Sequence, residues 1–176
     1  VVVLGNYPDG WNRDGTDKEA SMINIKIPGW GSFQARHLVL DLNGTFSLDG
    51  KIIQGVRRRI DHLAERMEIH VLTADTFGQA VQICRELPVT LHIIPEKGQV
   101  EAKRNYMRSL SINCIAVGNG RNDTGMLADA TLGIAVIGPE GASSEAIRAA
   151  DVVVTKINDA LDLVIYPERL KATLRS

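Results

Sequence analysis

An α/β fold is what this sequence predicts: a three-layer sandwich on a mainly parallel sheet, with a small β-hairpin addition. Two observations carry that prediction. From His37 onward, short apolar runs alternate with segments of helical periodicity. The apolar runs are nearly continuous rather than alternating, as strands covered on both faces are. The 176 residues suit one domain with a real core.

The elements follow in order. Residues 1–21 carry Gly5, Gly10, Gly15, Pro8, Asn6 and Asn12 without periodicity. They lack the basic start and apolar centre of a signal peptide and are expected to form a flexible N-terminal extension, with a single domain over 22–176. Met22 to Ile27 alternates as a strand does, Pro28 to Gly31 reads as a turn, and Ser32 to Arg36 as the return strand. This hairpin is expected at a sheet edge or an interface, with Trp30 at its tip serving packing. Leu38–Leu42 is a strand. Phe46 to Leu48 and Lys51 to Ile53 flank Asp49-Gly50, a two-residue hairpin turn. Val56 to Met67 is helical, with Val56, Ile60, Leu63 and Met67 on one stripe. Then come a strand over 68–73, a helix over 78–87, a strand over 89–94, a helix over 96–110 and a strand over 113–117. A short helix over 122–130, a strand over 133–136, a helix over 143–150 and a strand over 151–154 follow. Helical pieces near 158–163 and 167–174 close the chain.

Composition excludes several classes. The formal net charge of −1 carries no nucleic-acid footprint. No apolar run approaches the ~18 residues of a membrane span, so no membrane partner is expected. Cys84 and Cys114, both in apolar runs, read as buried small hydrophobes in a reducing cytoplasm. His37, His62, His70 and His92 lack metal-ligand spacing and read as surface or edge-of-core residues. Arg57, Arg58 and Arg59 read as a solvated helix face.

Four loops at strand ends carry the chemistry. In His37-Leu38-Val39-Leu40-Asp41-Leu42-Asn43-Gly44-Thr45, an apolar strand ends in an aspartate before a small polar turn. Doubly wound topology gathers such strand ends at one sheet edge, where ligands bind. A carboxylate there can attack phosphorus and form an aspartyl-phosphate. Thr73 offers a hydroxyl and its neighbour Ala74 a backbone N–H for phosphate oxygens. Lys97 or Lys103 can neutralise charge on phosphate and on Asp41, and Asp123 can help hold Mg²⁺. Lys103 is favoured, because the apolar spacing of Tyr106, Met107 and Leu110 puts its amine at a helix start below the sheet edge. Asp75 reads as a turn residue.

These residues resemble the haloacid dehalogenase superfamily and, within it, the phosphorylation domain of P-type ATPases. Asp41-Leu42-Asn43-Gly44-Thr45 is similar to that family's Asp-Lys-Thr-Gly-Thr. Leu72-Thr73-Ala74-Asp75, with Gln79, Ala80 and Ile83, is similar to its Leu-Thr-Gly-Asp segment. Gly118-Asn119-Gly120-Arg121-Asn122-Asp123, trailed by Leu127, Ala130 and Gly133-Ile134-Ala135, resembles Gly-Asp-Gly-x-Asn-Asp. Ala149-Ala150-Asp151-Val152-Val153 resembles its closing segment. The resemblance implies a Rossmann-like sheet and a Mg²⁺-dependent phosphohydrolase working through phospho-Asp41. Asp41, Asn43, Thr73 and Lys103 would be catalytic. Thr73, Ala74, Lys103 and Asn122 would hold the phosphoryl group, and Asp41, the Asn43 carbonyl, Asn119 and Asp123 the metal.

Asp41 and Thr73 lie about 30 residues apart, room for a hairpin and one helix–strand unit but not for a nucleotide-binding or cap domain. An ion pump is therefore not expected. Capless members of the family often take large substrates or complete their sites by oligomerising, which implies a homo-oligomer and a phosphorylated small molecule or phosphoprotein as partner, with the Phe46–Ile53 hairpin supplying the contact. Two departures matter. Asn43 stands where family phosphatases carry a second Asp as general acid–base, and an amide cannot exchange protons in that role. Asn119 stands where a metal-ligating Asp is usual, which removes one negative charge. Slow turnover is implied. A binding or regulatory module with vestigial catalysis, or phosphotransfer with a partner protein, are the alternatives.

Overall fold

The computed structural model describes residues 22–75, 78–110 and 113–176. The expected extension over residues 1–21 lies outside the described residues, as do Thr76 and Phe77 of one predicted site loop.

The core is a six-stranded parallel sheet. Its strands are β3 (His37–Asp41), β6 (Glu68–Thr73), β7 (Thr90–Ile93), β8 (Cys114–Gly118), β9 (Leu132–Val136) and β10 (Val152–Val154), in the spatial order β10-β9-β8-β3-β6-β7. All five strand pairings are parallel. Strand order reverses at β3, which lies between β6 and β8. That is the switch point at which doubly wound sheets open a crevice beyond the strand ends.

Two apolar clusters cover the sheet. On one face Leu38, Leu40, Val71 and Val117 pack with α1 (Val56–Ala64), α2 (Ala80–Cys84), α6 (Ile157–Ile165) and α7 (Glu168–Leu174). On the other, Val39, Leu72 and Ala116 meet Met107 of α3 (Gln99–Ser109), Met126 and Leu127 of α4 (Thr124–Asp129) and Ala146 of α5 (Ser144–Ala149). This is the three-layer sandwich the sequence predicts, and only a hairpin and α1 separate β3 from β6. That hairpin, β4 (Ser47–Leu48) with β5 (Lys51–Ile52), turns through Asp49 (φ 50°) and Gly50 (φ 73°). Two successive positive φ values match the twist of the flanking strands.

Several expectations need correction. The hairpin of β1 (Ile23–Ile27) and β2 (Gly31–Ala35) is a separate two-stranded sheet, not an edge of the main one. Its alternation buries Ile23, Ile25 and Ile27 in the first apolar cluster, so it acts as part of the covering layer. Helices are shorter than their periodicity suggests. Apolar residues such as Met67 and Leu87 continue the pattern but belong to buried turns leading into strands. α3 starts at Gln99 because Gly98 before it is left-handed (φ 73°). Arg59 is no solvated side chain: its guanidinium grips Asp162 of α6 through two bonds of 2.7 and 2.8 Å and ties α1 to α6. Both cysteines are buried thiols, and burial pushes Cys84 up to about 12 and Cys114 to about 11. Among the described residues, no helix is long and apolar enough to cross a membrane.

Candidate active site

β3 delivers Asp41 to the carboxyl end of the central strand, and a compact turn follows at once. The N–H groups of Phe46 and Ser47 donate to the Leu42 carbonyl at 3.2 and 3.0 Å, and Gly44 N–H donates to the Ser47 carbonyl at 2.9 Å. Gly44 has φ 74°, and a Cβ there would lie 2.5 Å from Glu140 Oε2 and 2.7 Å from Asn119 Nδ2. The turn thus needs glycine for its backbone and for its close approach to the loops after β8 and β9.

Asp123 arrives from the neighbouring strand. After β8 the chain makes a single 3₁₀ turn over Arg121–Asp123. The carboxylate folds back, with Oδ2 accepting from the N–H groups of Asn119 (3.0 Å) and Gly120 (2.8 Å). A Cβ on Gly118 would sit 2.6 Å from Asp123 Cγ, so the side chain occupies space only glycine leaves.

Lys103 joins the two carboxylates. Its Nζ donates to Asp41 Oδ1 and to Asp123 Oδ1, each at 2.5 Å. Lys103 and Asp123 are fully buried and Asp41 nearly so. Lys97 is exposed and lies in the loop before α3. Lys103 sits in the second turn of α3, not at its start as expected, and reaches the rim because its helix crosses beneath it. Burial opposes the ammonium, but the Asp41 and Asp123 charges outweigh it and hold Lys103 above its ordinary pKa. Burial, then the Asp123 charge, push the Asp41 carboxyl up to about 6, against the charge and hydrogen bond of Lys103 and the hydrogen bond of Thr45. One buried ammonium between two carboxylates leaves negative charge in excess, which a further cation would balance.

Thr45, which ends the Asp41 turn, is a site residue without a predicted role. Its Oγ1 lies 3.1 Å from both Asp41 Oδ2 and Asn119 Oδ1, so carboxylate and amide oxygens converge on one hydroxyl. The Asn119 amide is oriented from its other side, with Nδ2 donating to the Gly141 carbonyl at 3.1 Å. The signal was available, since a hydroxyl four residues past a strand-end Asp across a tight turn faces back toward it. The oxygens of Asp41, Asn119 and Asp123 are hard donors of the kind Mg²⁺ takes, and the excess negative charge suits it. This donor set fits the ion.

The remaining predicted residues lie as follows. Asn43 is half-buried, with Oδ1 3.5 Å from Ser47 Oγ. Thr73 is buried at the end of β6, and its Oγ1 accepts from Asp75 N–H at 3.1 Å, which leaves the hydroxyl proton for another acceptor. Ala74 follows, half-buried. Asp75 is a left-handed turn residue (φ 47°) whose Oδ1 accepts from the first N–H of α2 at 2.8 Å. The Asn122 amide donates to Gln99 Oε1 at 2.7 Å and so spans the loop to the start of α3.

The reading of the histidines needs correction. His37 and His70 are buried, and His37 Nδ1 lies 3.1 Å from His70 Nε2. Tyr106 Oη bonds His70 Nδ1 at 3.0 Å and His92 Nε2 at 2.6 Å. Burial lowers all three rings, His70 to about 3, so they are neutral hydrogen-bonding groups. No spacing in sequence announces this cluster, because strand register assembles it.

Comparison with known proteins agrees with the geometry. A family model described as haloacid dehalogenase-like hydrolase matches residues 99–164. An uncharacterised protein of Methanocaldococcus jannaschii is 59% identical over 61 residues, a stretch covering 35% of this chain and 66% of that protein. The cobalt-bound deoxy-D-mannose-octulosonate 8-phosphate phosphatase of Haemophilus influenzae superposes with a TM-score of 0.63 at 13% identity, covering 81% of this chain and 94% of that one. The 3-deoxy-D-manno-octulosonate 8-phosphate phosphatase of Moraxella catarrhalis, in complex with magnesium, phosphate and its sugar acid, gives 0.58 at 17% identity, covering 79% and 90%. The catalytic domain of the CPx-ATPase CopB-B gives 0.51 at 19% identity over 64% of this chain and 45% of that one.

Proposed function

For a chain whose residues 99–164 match a haloacid dehalogenase-like hydrolase model, we propose a Mg²⁺-dependent phosphohydrolase that works through an aspartyl-phosphate on Asp41. The observation that carries the reading is the Lys103 ammonium held at 2.5 Å from both Asp41 Oδ1 and Asp123 Oδ1. A buried lysine clamped between two carboxylates at a sheet rim is a costly arrangement for stability alone, and it is the charge pattern a phosphate dianion requires.

Asp41 is the nucleophile. Its carboxylate oxygen attacks phosphorus in line, a new O–P bond forms, and the bond to the leaving oxygen breaks. Lys103 keeps the carboxylate ionised near neutral pH and offsets charge on the transferring group. The Thr73 hydroxyl and the Ala74 N–H hold phosphoryl oxygens, with the Asn122 amide at the same rim. Water then attacks the phosphorus of phospho-Asp41, releasing inorganic phosphate and restoring the carboxylate. Asp41, the Asn43 carbonyl, Asn119 and Asp123 would hold Mg²⁺, which when bound supplies electrostatic stabilisation of the phosphoryl oxygens. Asn43 donates and accepts hydrogen bonds but has no acidic proton to give, so the leaving oxygen takes its proton from water and turnover is slow.

The substrate is a phosphorylated small molecule or a phosphoprotein. A second reading is a binding or regulatory module with vestigial catalysis, which Asn43 and Asn119 favour. Mg²⁺-dependent phosphate release from an aryl phosphate separates the two. Release by the wild type that disappears in Asp41→Asn supports the enzyme, and equal rates support the module.

A further inference from the structure

We propose a second metal site at the opposite end of the sheet, in which His37, Glu68 and His70 bind Zn²⁺ or a similar borderline divalent cation. Among the described residues, these are the one set of three His, Cys, Asp or Glu side chains whose ligand atoms gather within 4.8 Å of one another. His37 opens β3 and pairs in register with Glu68 at the start of β6, and Val39 pairs with His70. The three side chains therefore share one face. His37 stands about 13 Å from Asp41, four residues of strand away, while His70, in register with Val39, is only two residues below the level of Asp41.

The geometry is that of one face of a tetrahedron. His37 Nδ1 and His70 Nε2 are 3.1 Å apart, and Glu68 Oε2 lies 3.5 Å from the first and 3.9 Å from the second. Three ligands bonded at ~2.0 Å to a tetrahedral ion stand about 3.3 Å from each other, so small movements close the set around a cation. When the ion enters, the hydrogen between the two imidazole nitrogens leaves and the ring that carried it takes a proton on its other nitrogen, so both rings bind as neutral imidazoles.

Two of the three ligands are already oriented by a partner on the far side. His70 Nδ1 bonds Tyr106 Oη at 3.0 Å, which fixes the ring with Nε2 toward the site. Arg36 holds the other Glu68 oxygen, with Nε donating to Oε1 at 3.0 Å, and leaves Oε2 facing the imidazoles. His37 and His70 are buried, and Glu68, with 27% of its side chain exposed, marks the side open to solvent and to a fourth ligand. Two imidazoles and one carboxylate suit zinc and select against Mg²⁺, which takes oxygen donors. The rim and this site thus divide two kinds of cation between them.

Equilibrium dialysis of the full chain against Zn²⁺ in saturating Mg²⁺ tests this. The wild type and Asp41→Asn should each retain one equivalent. Glu68→Gln should bind at least tenfold more weakly, His37→Gln/His70→Gln should bind none, and Tyr106→Phe should lose about tenfold. Co²⁺ in place of Zn²⁺ should give the intense visible bands of a four-coordinate ion in the wild type and not in Glu68→Gln. Absence of a bound equivalent in the wild type overturns the proposal. So does retention that is unchanged in Glu68→Gln, or loss of zinc on Asp41→Asn. Glu68 is partly exposed and outside the apolar clusters, so its variant reports on binding even if the double histidine variant does not fold.

Discussion

The two ends of β3 and β6 make an instructive contrast. At the carboxyl end, Asp41, Asp123 and Lys103 are buried as ions. From the amino end, His37, His70, Tyr106 and His92 run diagonally across the sheet as a hydrogen-bonded chain with neutral imidazoles, reaching the level of Asp41 at His92. One sheet thus meets the cost of desolvating polar groups in two ways. One end pairs opposite charges, and the other discharges the rings. The rim is left with unbalanced charge and convergent oxygens, which suits phosphoryl transfer, whereas the foot is balanced until a metal displaces its shared proton.

The contrast breaks most sharply at Asp41. Asp41→Asn should lower Mg²⁺-dependent phosphate release by a factor on the order of 10⁴ or more, because on the proposed mechanism it removes the nucleophile. His70→Gln should leave that rate within a few-fold. Comparable losses in the two variants would show that the ends are not independent. Lys103→Met comes next. It leaves two carboxylates facing each other without a cation, and breaking such a buried network costs about 3–5 kcal/mol. A fall in denaturation midpoint that Mg²⁺ partly restores is the expected result. An unchanged midpoint would mean that Asp41 is already protonated at neutral pH.

The two ends also differ in how far they could be read from sequence. Asp41, Thr73 and Asp123 each follow an apolar strand in a short segment with its own turn chemistry, so sheet topology alone brings them to one edge. Lys103 was less distinct, since choosing it over Lys97 took the periodicity of α3, and the left-handed Gly98 then shifted the helix start. The histidine cluster was invisible, because His37, Glu68, His70 and His92 come from three strands and meet only through register. A lone histidine in an apolar run carries no sign of its cross-strand neighbours. Likewise Arg59 looks like its exposed neighbour Arg58 until α6 brings Asp162 to it.

Asn43→Asp sharpens the picture of the rim. A carboxylic acid two residues past the nucleophile can protonate the leaving oxygen and then activate water, and such catalysis contributes on the order of 10²-fold or more. Position 43 is half-buried beside Ser47, so an ionisable side chain fits there. Phosphate release should rise with KM little changed. A variant no faster than the wild type would mean that the hairpin beside it blocks the leaving group or that chemistry does not limit the rate.

The smallest effect falls at the foot and depends on pH. His70 has its folded pKa lowered to about 3 by burial, with the His37 and His92 charges adding to it. The unfolded chain therefore takes up a proton near pH 6.5 that the folded chain refuses. Stability from the neutral ring is complete above that pH and is lost as pH falls toward 3. The slope is at most about 1.4 kcal/mol per pH unit for one such histidine. Denaturant midpoints measured between pH 7 and pH 4 should fall more steeply for the wild type than for His70→Gln. Identical slopes would show that the rings open to solvent before they titrate. The comparison belongs in metal-free buffer, since an ion bound at His37 and His70 would compete with the same protons and steepen the wild-type slope further.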